Sequence, residues 1–348
     1  MCAITGYIST NGAPTPDTLA NFQRILRAGS CRGVDATGFM YPNSEGRVVI
    51  SKAAGPPSQV IESLPSTAPR WMVGHNRMKT VGSPLNNLNN HPVVSGRFAL
   101  VHNGSVNSLA SWHQGIKDSL PFHHYAEVDS QLLVETIDIL VEERNWKIGN
   151  AISRGIPHYI TGSYACVAVD SADPNTLHLF RGSNPLVLGY DKATGVIWFA
   201  STQEIIDAAL GTTTRHLDGL FVERHPPKKG SLLYSELTSD EYLQITCKNG
   251  TIKWEGGSLD RSYTPASIPP PVSSHNGATA TRPELSSGSS CSSPATGKVN
   301  QHANDPSNKP FPARYSATGA TPAASSPSSS KGYYDENTGL YRSSIFED

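Results

Sequence analysis

A cysteine stands at position 2, directly behind Met1, in the opening run MCAITGYIS. Removal of Met1, which a small second side chain permits, would place a thiol and a free α-amine on one residue. An α-amine with a pKa of about 8 can serve as the local base that a thiol nucleophile needs. The plainer reading makes Cys2 a small buried residue, as free cysteines often are. Four further segments bear on the choice: CRGVDATG at 31–38, GHNRMKTVGSP at 74–84, HNG at 102–104 and EVDSQLL at 127–133. Singly they say little. An arginine after a strand is ordinarily a solvated end, an Asn-Gly a hairpin turn, and an aspartate before an apolar helix an N-cap.

The elements that must position these residues read as a mixed body over the first 258 residues. TPDTLANFQRILRAG has a Thr15 cap, Pro16 in its first turn, Leu19, Phe22 and Leu26 at helical spacing and Gly29 as a stop. DSQLLVETIDILVEE is a second amphipathic helix, and NAISRGIPHYI a third. Strands are expected at AITGYIS, WMVGHNR, FALVHNG, SYACVAVD, TLHLFRG, PLVLGYD and GVIWFAS, with GSLLYSE and YLQITC completing the sheets. Consecutive strands with grouped helices favour packed sheets with helices outside over a strictly alternating doubly wound fold.

The 28 basic and 29 acidic residues nearly cancel and form no basic block, so nothing predicts phosphate neutralisation and nucleic-acid binding. No apolar run approaches a membrane span, and no signal peptide is visible. Five widely spaced cysteines without a CxxC point to a reducing compartment, hence a cytoplasmic location, and to neither a disulfide framework nor a zinc site. No GxGxxG or phosphate-binding loop implies a nucleotide, and no cofactor or metal is expected. The composition shifts near residue 260: from Pro265 to Lys331, 67 residues contain only five of Ile, Leu, Val or Phe. Such a stretch cannot offset its ordering entropy and reads as a disordered linker. It ends in GYYDENTGLYRSSIFED, where Tyr333, Tyr334, Leu340, Tyr341, Ile345 and Phe346 return, either a docking element or a frayed terminus. The domain reading is 2–258 for the folded body, 259–331 for the linker and 332–348 for the aromatic peptide.

In this order behind a residue-2 cysteine, the four segments resemble the class II, N-terminal-cysteine glutamine amidotransferase domain, nearest the sugar-phosphate synthase type. NNHPVVSGRFALVHNGSVNS and GSYACVAVDSADPNTLHLFRGSNPLVLGY carry the same resemblance, which covers about three quarters of the chain. It implies a four-layer αββα sandwich of the N-terminal nucleophile hydrolases, an α+β fold, followed by the disordered tail. It also implies glutamine hydrolysis through a Cys2 thioester, with the Asn103 side-chain amide and the Gly104 N–H holding the oxyanion. Arg77 would take the substrate carboxylate, Asp129 its ammonium, and Thr80 a further contact on a lid from Arg77 to about Pro84. Arg32 and Gly33 match a supporting pair beside the cysteine. Two departures stand out: Ala3 where the family carries glycine, and Val81 where the synthase type carries histidine. The acceptor domain usual in the family has no counterpart in the tail, so the resemblance implies a separate ammonia-acceptor enzyme. The oligomeric state is left open.

Other residues take structural readings: His91 beneath the lid, Cys31 and Cys166 as buried small residues, Trp71 and Trp198 as core. His123 and His124 lack a carboxylate cluster for a metal, and Lys228 and Lys229 form a solvated turn. Two competing functions remain: a free-standing amidohydrolase of the same fold acting on a γ-glutamyl or other amide, and a non-catalytic interaction protein keeping the fold.

Overall fold

Alternation along the first strand sets the layers. In β1 (Ala3–Ser9), Ala3 and Tyr7 pack against a helical layer, while Ile4 and Ile8 point the other way into a second sheet. The computed structural model describes residues 1–10, 14–108, 126–191, 193–210, 232–248 and 251–263, and the backbone of 333–335 and 340–342. The strands are β1, β2 (Ala36–Pro42), β3 (Val48–Ala54), β4 (Trp71–Arg77), β5 (Val93–Ser95), β6 (Phe98–Ser108), β7 (Ile160–Asp170), β8 (Thr176–Arg181), β9 (Val187–Asp191), β10 (Val196–Ala200), β11 (Leu232–Glu236), β12 (Glu241–Lys248) and β13 (Thr251–Ser258). One sheet has seven strands in the order β11-β9-β10-β1-β4-β2-β3, the other six in the order β13-β12-β8-β7-β6-β5. The pairings within both are antiparallel.

Three apolar layers hold the sandwich together. Ile4, Val73, Val101, Val167, Leu179 and Phe199 fill the space between the sheets. Phe22, Ile25 and Leu26 of α1 (Pro16–Gly29) join Tyr7, Phe39 and Trp198 outside the seven-stranded sheet. Leu133, Val134 and Ile137 of α2 (Ser130–Asp138) join Phe98, Leu100, Tyr164 and Phe180 outside the six-stranded sheet. This is the expected αββα sandwich. The helix read at NAISRGIPHYI is segmented, with a π-helical turn at Ala151–Gly155 leading into α3 (Ile156–Tyr159), and α2 runs on into a π-helical turn at Ile139–Glu143. A helix absent from the sequence reading, α4 (Gln203–Leu210), packs beside α1, its Ile205, Ile206 and Ala209 buried with Phe22 and Leu26.

The ordered body continues past Ser258. Leu259 is buried in the α2 layer, and the Tyr263 ring meets Trp146 edge-on at 5.8 Å. Of the tail, residues 264–332, 336–339 and 343–348 lie outside the described residues; the backbone of Tyr333–Asp335 pairs antiparallel with Leu340–Arg342. The readings of His123, His124, Lys228 and Lys229 also fall outside them. Trp71, Trp198 and Cys166 are buried as expected. Cys31 is not: it is exposed in the single 3-10 turn Ser30–Arg32 that follows α1, the turn that brings Arg32 back toward Cys2. Among the described residues no helix is long and apolar enough to cross a membrane, and no group of His, Cys, Asp and Glu could hold a metal ion.

Candidate active site

The residue just before β1, the last of β4, the middle of β6 and the start of α2 carry the expected site residues to one end of the sandwich. Ala3 pairs with Asn76, so Cys2 lies level with the end of β4 and the loop that leaves it. The Cys2 Sγ accepts a hydrogen bond from the Met78 N–H at 3.4 Å, and the thiol lies 3.7 Å from the Met78 carbonyl. The Arg32 Nε donates to the Cys2 carbonyl at 2.8 Å, which gives Arg32 its place as a brace. Gly33 passes against the same strand end: a Cβ there would stand 2.4 Å from the Arg77 carbonyl carbon and 2.5 Å from the Met78 nitrogen. Its backbone is extended, so glycine is needed for the close approach rather than for an unusual φ.

Burial pushes the Cys2 thiol above the ordinary cysteine range. The Met78 amide, the chain's amino terminus and Arg77 pull it back, and Asp129 pushes it up. Burial outweighs these influences, the thiol rests protonated, and its activation needs a base.

Arg77 is almost completely buried, at 3% exposure. It donates to Asn90 Oδ1 at 2.9 Å, to the Gly82 carbonyl at 3.0 Å and to the Val81 carbonyl. These acceptors take at most three of its five N–H donors. Arg77 therefore holds its own loop while keeping donors in reserve. The loop is strapped further by Asp35 Oδ2, which accepts from Lys79 N at 2.6 Å, and by Asn90 Nδ2, which donates to the Pro84 carbonyl at 2.7 Å. Thr80 stands exposed on it, as do Met78, Val81, Leu85 and Leu88.

HNG is not a turn. Asn103 and Gly104 lie inside β6, paired with Ala165 and Tyr164. Strand alternation sends Asn103 toward the facing sheet and His102 toward α2. The Asn103 amide nitrogen lies 3.5 Å from Ser201 Oγ, which also accepts the Ile4 N–H at 2.9 Å. Asn184 Nδ2 donates to the Asn103 carbonyl at 2.8 Å. Gly104 has φ +151°, where a side chain is strained, and a Cβ would lie 2.0 Å from the Ser163 carbonyl oxygen. That conformation turns the chain within a paired strand.

Asp129 occupies the N-cap position of α2, as read from the sequence, but its carboxylate does not cap the helix. Oδ2 instead accepts the Val106 N–H at 2.8 Å, two residues beyond Gly104. Sequence reasoning missed Asn90, Ser201 and Asn184. Asn90 and Asn184 stood inside recognised segments, next to His91 and Pro185; Ser201 gave no local signal.

No family model matches the chain. Curated relatives match its N-terminal part. A glutamine–fructose-6-phosphate aminotransferase (isomerizing) from Streptococcus agalactiae is 29% identical over 203 residues, 57% of this chain and 32% of that protein. The same enzyme from Listeria innocua is 30% identical over 201 residues, covering 57% and 31%. That from Oceanobacillus iheyensis is 28% identical over 243 residues, covering 65% and 39%. The chain thus spans about a third of the length of the curated relatives it matches. A solved structure of the allosteric regulatory enzyme of purine biosynthesis superposes with a TM-score of 0.50 at 16% identity, over 74% of this chain and 49% of that one, which speaks for the fold alone. Motifs, sandwich and relatives agree in what the chain is similar to: a glutamine amidotransferase domain of class II.

Proposed function

We propose that this domain hydrolyses glutamine to glutamate and ammonia with Cys2 as nucleophile, and that the ammonia passes to a separate acceptor enzyme. The observation that carries the reading is convergence: the Met78 N–H, next to buried Arg77, donates to the Cys2 Sγ, and the Asp129 carboxylate accepts the Val106 N–H two residues beyond Gly104. A cation and an anion near a nucleophile suit a substrate with a free amino-acid end, its carboxylate on Arg77 and its ammonium on Asp129. Glutamine presents that end and a carboxamide within reach of the thiol.

In the proposed sequence the α-amine of Cys2, freed by loss of Met1, takes the thiol proton. The thiolate attacks the carboxamide carbon and the oxygen gains negative charge. Asn103 Nδ2 and the Gly104 N–H stabilise that oxyanion; such donors are each worth roughly 10²–10³ in rate. Collapse expels ammonia, protonated by the same amine, and leaves a thioester. Water then releases glutamate and restores the thiol. Arg32 braces the Cys2 carbonyl, Gly33 admits the Arg77 backbone, and Thr80 contacts substrate from the loop. The acceptor half of the proposal draws support from the rim: Val34, Met78, Val81, Leu85 and Leu88 are large apolar side chains left exposed there, a composition suited to a protein partner.

The test is glutamate and ammonia release from glutamine by protein lacking Met1. Activity that vanishes in Cys2→Ala, with the fold intact by circular dichroism, supports the reading. Activity retained in that variant refutes it.

A further inference from the structure

Four polar side chains behind the site form one buried network, and each is a near neighbour in sequence of a proposed site residue or of its direct partner. His75 lies two residues before Arg77, His91 follows Asn90, His102 precedes Asn103, and Ser130 follows Asp129. All four are at most 4% exposed. Ser130 Oγ lies 2.8 Å from His91 Nε2 and 2.8 Å from His102 Nδ1. His75 Nε2 lies 2.9 Å from the His102 carbonyl, and its ring stacks on His91 at 4.0 Å.

The proton count gives this network a direction. His75 can only donate to the His102 carbonyl, so its Nε2 carries the proton. His102 Nε2 faces the Ser163 carbonyl at 3.5 Å, which favours a proton there and a bare Nδ1. The Ser130 hydroxyl then donates to His102 Nδ1 and accepts from His91 Nε2. His91 is left with a bare Nδ1, the nitrogen that is buried without a partner; a lone pair there is less costly than an orphan N–H. Burial keeps all three imidazoles below the ordinary histidine range, so the network is neutral at pH 7.

We propose that Ser130 is the positioning residue that fixes the oxyanion donors of β6 relative to the ammonium-binding start of α2. Its hydroxyl ties the start of α2 to His102, the residue before Asn103, alongside the Asp129–Val106 bond that joins the same two elements. Without that hydroxyl His102 loses its partner on α2, the Asp129–Val106 bond is left to join the two elements alone, and the Asn103–Gly104 pair is held less closely against the substrate. Misplacement on the ångström scale is costly to rate, about 10²-fold at 1 Å.

This rests on the glutaminase reading, and the test separates the two. First, imidazole ¹⁵N NMR of the wild-type protein at pH 7 reads the tautomers without any activity. His91 and His102 are expected neutral with protons on Nε2. A charged His102, or one protonated on Nδ1, overturns the proposal. Second, glutamine kinetics compare wild type, Ser130→Ala and Ser130→Thr. Ser130→Ala is expected to lower kcat about tenfold or more, with KM changed far less, and Ser130→Thr, which keeps the hydroxyl, to restore it. A Ser130→Ala kcat within about twofold of wild type overturns the positioning role; a wild-type protein inert toward glutamine instead removes the functional reading and leaves the tautomer result standing.

Discussion

Lowering the pH from 7.5 to 5 should cost this fold several kcal/mol through its buried histidines. His75 is held down to about 3 and His178 to about 4, burial being the larger cause in both. Unfolded histidine titrates near 6.5. A group depressed in this way contributes nothing above the unfolded value, because it is neutral in both states. As pH falls through about 6.5 the unfolded chain binds protons that the native state refuses, and stability drops until the folded pKa is reached. At pH 5 that is roughly 1.5 units at about 1.36 kcal/mol each, or about 2 kcal/mol per histidine and about 4 kcal/mol for the two. His91 and His102 are shifted the same way and add to the loss; Arg77 and Lys52 face His91 and oppose its charging, while Asp129 facing His102 partly favours it. Asp170, raised by burial, works in the opposite sense. Typical stabilities are about 5–15 kcal/mol, so the effect is large. Urea unfolding at the two pH values reads it directly. His178→Gln isolates one member away from the site: the His178 Nδ1 meets the Tyr242 hydroxyl at 2.8 Å. The pH-dependent loss should shrink by about 2 kcal/mol in that variant. A total loss under about 1 kcal/mol, or a loss unchanged by His178→Gln, would refute the reasoning.

Two further outcomes follow from the geometry. Gly104→Ala puts a Cβ 2.0 Å from the Ser163 carbonyl at φ +151°, and should lower glutamine kcat by about 10²-fold or more while reducing stability by about 1–3 kcal/mol, read by steady-state kinetics and urea titration; a near-wild-type variant would show that the Gly104 N–H has no special place. A chain ending at Tyr263 should keep full glutamine hydrolysis, because the body closes on Leu259 and Tyr263; lost activity on truncation would mean that the tail completes the site.

What could be read from sequence followed local pattern. β1, α1 and β4 begin and end where alternation, the Thr15–Pro16 start and the Gly29 stop placed them, since each carries its own boundary signals. β2 and β3 escaped. β2 is buried along its first five residues, with a glycine among them and a proline at its end, so it shows no period of two. β3 contains Lys52, which looks like a solvent residue but is buried, its Nζ donating to the Asn90 and Pro92 carbonyls at 2.9 Å each. The candidate site residues could be named because they sit in contiguous motifs. Their braces were not, because Asn103 leans on Ser201 and His102 on Ser130 across long stretches of chain, and no local spacing encodes those pairs. His91 is buried, but its stacking on His75 and its bond to Ser130 emerge only when four separate elements meet.

The central claim is that Cys2 is the nucleophile for glutamine. Intact-mass and peptide mapping after treatment with a glutamine analogue bearing an electrophilic side chain tests it most directly. The account predicts one adduct, on Cys2 at the start of a chain lacking Met1, blocked by excess glutamine and absent in Cys2→Ala. Glutamine-protected labelling on the exposed Cys31, or an unlabelled Cys2 in protein that still turns over glutamine, would contradict it.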